Sequence, residues 1–111
     1  MAMAYEEYLA ERVRKVIGKR REITEKKMFG GLGFMFRGNM ACGLVGEKLM
    51  LRLGEAGAAA ALQEDHVVPM DFTGKPIKTM VFVEPAGLES EKELSRWVGK
   101  ALAFAKTLPP K

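Results

Sequence analysis

The sequence predicts an α+β fold, a two-layer unit in which an antiparallel sheet of about five strands carries helices packed on it. Three observations lead there. Apolar residues recur at spacings of three and four near both ends of the chain, the period of helices that bury one stripe. Between them the period drops to two, and glycine-bearing turns separate the alternating stretches, as in strands joined by hairpins. An alanine-rich stretch at residues 58–61 interrupts the strands with a further helical segment. The order is then α-β-β-β-β-α-β-β-α or, in a shorter form, α-β(3)-α-β(2)-α.

Tyr5, Leu9, Val13, Val16 and Ile17 line one stripe of the first helix, and Gly18 is placed to end it. The stretch Glu22-Ile23-Thr24-Glu25 runs through Lys26 and Lys27 into Met28-Phe29-Gly30-Gly31, a first strand that ends at a glycine break. Its charges suit an edge strand, because they discourage pairing with another chain. Leu32–Arg37 and Met40–Val45 flank Gly38-Asn39, a two-residue loop whose glycine fits a type II′ hairpin turn. Gly46-Glu47 connects tightly into Lys48–Leu53, where Leu49, Leu51 and Leu53 point one way and Met50 and Arg52 the other.

Glu55–Gln63 reads as a short helix whose alanines let its backbone approach a sheet, at a cost of about 1 kcal/mol for Gly57. Past Val67-Val68-Pro69, Met70–Phe72 and Ile77–Val83 flank Thr73-Gly74-Lys75-Pro76, which has the chemistry of a turn and predicts a second hairpin. Pro85 and Gly87 break the chain. Ser90 followed by Glu93 is a capping-box pattern that starts the last helix. Leu94, Trp97, Val98, Ala101, Leu102, Ala105 and Leu108 form its stripe, and Pro109-Pro110 stops it.

A chain of 111 residues is expected to form one domain, residues 1–111, with a single core. No apolar run reaches the roughly 20 residues of a membrane span, and the charged segment from Tyr5 to Arg21 lacks the apolar stretch of a signal peptide, so a cytoplasmic location is expected. One cysteine, Cys42, excludes an intramolecular disulfide. The net charge of +4 is mildly basic and leaves room for an acidic partner.

Several chemistries find no support in the residues. One histidine, His66, and one cysteine cannot assemble a His/Cys metal cluster, and Glu64-Asp65-His66 reads as a polar helix end. Cys42 sits mid-strand between Ala41 and Gly43, where a small apolar side chain packs well and no base is supplied. Ser90 and Ser95 belong to the last helix, so neither resembles a nucleophile elbow. Gly30-Gly31-Leu32-Gly33 leads into a strand and not into a helix N-terminus, which fits a bulge or turn better than a phosphate cradle. No catalytic, cofactor-binding or metal-binding residue is assigned, and a non-enzymatic protein is expected.

Lys27-Met28-Phe29-Gly30-Gly31-Leu32-Gly33-Phe34, with Gly38, Asn39, Met40 and Leu49-Met50-Leu51-Arg52, resembles the TfoX/Sxy N-terminal domain family of bacterial competence regulators. Downstream, Gly74-Lys75-Pro76, Met80, Phe82 ahead of Pro85, and a helix carrying Leu94 and Trp97 continue the likeness over nearly the whole chain. Met28, Phe29, Gly30 and Gly31 are its most specific part. Phe82 departs from the tyrosine many members carry, which removes a hydroxyl. The resemblance implies a stand-alone form of a two-layer domain that full-length regulators join to a C-terminal domain. It also implies action beside a catabolite-activator-type transcription factor, and it supplies no catalytic residue.

Two surfaces follow. Arg12, Lys15 and Lys19 fall on one flank of the first helix, with Arg20, Arg21, Lys26 and Lys27 after them, a set that could track a phosphate backbone although Glu7, Glu11, Glu22 and Glu25 are interspersed. On the sheet, Met35, Met50, Arg52, Met80 and Phe82 take the parity opposite the leucines, so both faces are apolar. If helices cover only one face, the methionine face is expected to bury itself in a twin, making a homodimer, or in a protein partner such as a transcription factor; the alternative is that the third helix or the chain ends cover it. A regulatory protein-interaction domain is the expected function, with nucleic-acid binding through the basic helix flank as the alternative.

Overall fold

A computed structural model describes residues 7–28, 30–71 and 76–110. The elements run α1 (Glu7–Ile17), β1 (Ile23–Met28), β2 (Gly31–Phe36), β3 (Asn39–Val45), β4 (Lys48–Arg52), α2 (Gly54–Ala61), β5 (Val67–Asp71), β6 (Pro76–Val83), a 3-10 turn (Pro85–Leu88) and α3 (Glu91–Ala105). This is one of the two expected orders, with six strands where about five were expected. Every pairing is antiparallel, in the order β1-β2-β3-β4-β6-β5. The charged β1 lies at one edge, as its sequence predicts, and β5 with Pro69 at the other, where a missing N–H costs no ladder bond.

All three helices bury their stripes in one core on one face of the sheet. Leu9, Val13 and Ile17 of α1, Ala58 and Ala61 of α2, and Leu94, Trp97, Val98, Ala101 and Leu102 of α3 meet Leu32, Phe34, Phe36, Leu44, Leu49, Leu51 and Leu53 there. Tyr5, assigned to the first stripe, lies outside the described residues, as does the turn Thr73-Gly74-Lys75. Leu108 lies beyond the end of α3 and is half-buried. In β3 the pairing with β2 steps from Phe34↔Cys42 to Met35↔Met40. The extra residue, Ala41, lets Ala41 and Cys42 both enter the helix-side core despite being adjacent.

The β2–β3 turn differs from expectation. It falls on Arg37-Gly38, with φ of +51° and +86°, so both central residues are left-handed as in a type I′ turn, which follows the right-handed twist of the strands. The cap of α3 is also half of what the sequence predicts. Ser90 Oγ accepts from the Glu93 N–H at 3.0 Å, while the Glu93 carboxylate is engaged by Arg96 at 2.6 Å.

The second face of the sheet has its own small core of Met50, Met70, Met80 and Phe82. Among the described residues, no helix residue belongs to it. Between Pro69 and Met70 the β5–β6 register jumps, the partner stepping from Val81 to Ile77. The hairpin bends where Lys78, Thr79 and Met80 of β6 have no β5 partner, and Met70 and Ile77 pack with Met50, Met80 and Phe82.

Candidate interaction surfaces

The basic flank of α1 is split by the fold. Arg12 lies against the start of α3: its Nη2 donates to the Leu88 carbonyl at 2.7 Å and its Nε to Glu91 Oε1 at 2.8 Å, with the side chain 16% exposed. Arg14, on the other flank, forks onto Glu25 at 2.8 and 2.9 Å and reaches Glu7 at 3.0 Å. Those hydrogen bonds, Glu25's first, hold its guanidinium protonated even more firmly than usual. Arg12 is therefore a structural clamp between α1 and α3. Lys15, Lys19, Arg20 and Arg21 stay exposed.

The methionine face is split as well. Met50 is 1% exposed, Met80 9% and Phe82 8%, all inside the chain's own second core, so they offer almost no surface to a partner. The sequence pattern assigns them to an interface; among the described residues, Val68, Met70 and Ile77 of the β5–β6 hairpin pack around them, and no residue of α3 does. Lys48 Nζ stands 5.5 Å from the centroid of the Phe82 ring. What remains open is the β2–β3 half of the face. Met35 pairs across to Met40 and both are half-buried, as are Val45, and Arg52 at the end of β4.

The family-signature glycines have separate reasons. Gly30 carries φ of +73° in the connection from β1 to β2. A Cβ on Gly31 would collide with the Leu44 carbonyl, so this glycine lets β2 and β3 approach. Met28 closes β1 opposite Gly31, and Phe29 lies outside the described residues.

Sequence reasoning did not find the cleft between the α2–β5 connection and the start of α3. Glu64, Asp65, His66, Glu89, Ser90, Glu93, Arg96 and Trp97 line its volume of about 440 Å³. Arg96 lies 4.3 Å above the Trp97 ring, forks onto Glu64 at 2.7 and 3.2 Å and binds Glu93 at 2.6 Å. Arg96 thereby holds both carboxyls below their ordinary range. Only the Glu93–Arg96 spacing of three was legible in sequence; Glu64 is brought in by the fold from 32 residues away. His66 has φ of +68° and its carbonyl accepts from the Glu84 N–H at 2.8 Å. Among the described residues, no three His, Cys, Asp or Glu side chains are grouped to hold a metal ion. Cys42 is fully buried, and burial pushes its thiol up to about 12.

These features define a class: an α+β domain whose helices share one face of an open antiparallel sheet and whose prominent cleft is internally ion-paired. The TfoX N-terminal domain model matches residues 15–105, and the chain belongs to that family. No curated protein and no solved structure matches it significantly. Among the described residues, no helix is long and apolar enough to cross a membrane.

Proposed function

We propose that the chain is a non-enzymatic regulatory domain that works by binding protein, of the competence and transcription type its family implies, and that it forms a homodimer through the open half of the methionine face. One observation carries this reading. Met35, Met40 and Val45 stay partly exposed on a stretch of sheet that no helix residue covers among those described. Gly33 and Gly43 pair between them and add no side chain to the strip, and flexible methionines suit adaptable contacts. A transcription factor docking on the same strip is the partner the family suggests. Nucleic-acid binding along the α1 flank is the weaker reading, because Arg12 is engaged by Leu88 and Glu91.

Light scattering on wild type and on Met35→Glu/Met40→Glu tests the dimer. The wild type is expected at twice the chain mass and the variant at the chain mass, with unchanged circular dichroism. A folded variant of unchanged mass removes this face from consideration.

A further inference from the structure

Three segments far apart in sequence end at one pole of the molecule. The connection after α1 brings Lys19, Arg20 and Arg21, the β2–β3 turn brings Arg37, and the stretch after α3 brings Lys106. Two hydrogen bonds place them together. The Arg37 N–H donates to the Glu22 carbonyl at 2.8 Å, and Asn39 Nδ2, just past the same turn, donates to the Pro109 carbonyl at 2.8 Å. All five cations are exposed. Among the described residues only Arg37 has a carboxylate within ion-pairing reach, Glu22 at 3.4 Å.

We propose that this pole binds the phosphate backbone of duplex DNA. The claim is independent of the dimer, whose strip lies on the sheet face. Glu22 and the half-charges of two helix C-termini offset roughly two of the five cations, leaving about three to neutralise phosphates. Arg52 and Glu55, where β4 ends and α2 begins, cancel each other. The exposed set is arginine-rich, and the guanidinium fork matches phosphate oxygens. An acidic protein partner is disfavoured because interfaces between proteins centre on apolar anchors. The most exposed large apolar side chains among the described residues, Tyr8 and Leu62, lie on α1's first turn and after α2, away from this pole. For the same reason no aromatic platform is at hand to stack single-stranded bases.

The test is anisotropy of a labelled random-sequence DNA duplex titrated with the full chain. About three phosphate contacts predict a loss of roughly 40-fold in affinity between 50 and 200 mM salt. Arg20→Glu/Arg21→Glu should weaken binding at the lower salt by about tenfold or more, while Lys27→Glu/Lys92→Glu, the same charge change toward the other pole, should cost less than about threefold. Amide shifts of the wild type on adding the duplex should gather at Lys19–Glu22, Arg37–Gly38 and Lys106–Leu108, a readout that stands even if a variant fails to fold. Equal losses in the two variants, shifts spread elsewhere, or no binding at the lower salt would overturn the proposal. Displacement of the duplex by polyglutamate of equal charge at equal concentration would assign the pole to acidic proteins and reject DNA.

Discussion

Gly54 begins α2 with φ of +76°, and a Cβ there would stand 2.6 Å from Cε1 of Phe104. Both the backbone and the ring oppose a side chain, so Gly54→Ala should destabilise the fold by about 1–3 kcal/mol in urea unfolding. Gly99 makes a clean contrast: it sits in α3 with nothing within 4 Å of its would-be Cβ, and Gly99→Ala should stabilise by about 0.5–1 kcal/mol. Cys42 carries a pH dependence. Its thiol is pushed up to about 12 by burial, whereas an unfolded thiol titrates near 8.5. Its contribution is complete below the unfolded value and is lost as pH rises toward the folded one, because only the unfolded chain releases the proton. Stability should therefore fall above about pH 8.5 with a slope from this residue approaching 1.4 kcal/mol per pH unit. Denaturant melts of wild type and Cys42→Ala at pH 8 and pH 10 should show the slope in the first and less of it in the second.

At the scale of elements, α1 docks by its apolar stripe and by one guanidinium. Arg12 satisfies the Leu88 carbonyl at the end of the 3-10 turn and Glu91 in the first turn of α3. Arg12→Ala strands a part-buried carbonyl and should cost about 1–3 kcal/mol. Arg12→Lys should recover only part of that, since an ammonium cannot reproduce the fork. If Arg12→Ala melted with the wild type, the clamp would have no energetic role. The Arg96 network is of another kind. Its side chains are a third or more exposed, so solvent screening leaves such pairs a modest share of stability.

Across the whole molecule, two cores share one sheet, and the smaller one depends on how the β5–β6 hairpin bends. That makes a contrast between two methionines. Met50 is enclosed with Met70, Met80 and Phe82, and Met40 lies at the edge of that cluster, half-buried. Met50→Glu should cost several kcal/mol and abolish cooperative melting, because a carboxylate there has neither water nor a partner. Met40→Glu should keep the fold and alter only the mass in solution. Equal melting temperatures for the two would mean that the second core contributes little.

The sequence by itself determined the helix stripes of α1 and α3, the charged edge strand and the face on which Leu49 and Leu51 point, and it placed the β2–β3 turn to within one residue. Each is written within a few neighbouring residues, by period, by a cap or by a glycine. Those same neighbours carry the TfoX signature. Only the tertiary structure decided that Arg12 leaves the basic flank to clamp residues 76 to 79 positions away, and that Met50 and Phe82 are closed in by their own chain. It also decided that Lys19, Arg37 and Lys106 share a pole. These outcomes rest on strand twist, on bulges at Ala41 and Pro69/Met70, and on which distant segments the sheet order brings together. No local pattern records them, because their energies exist only once the layers have met.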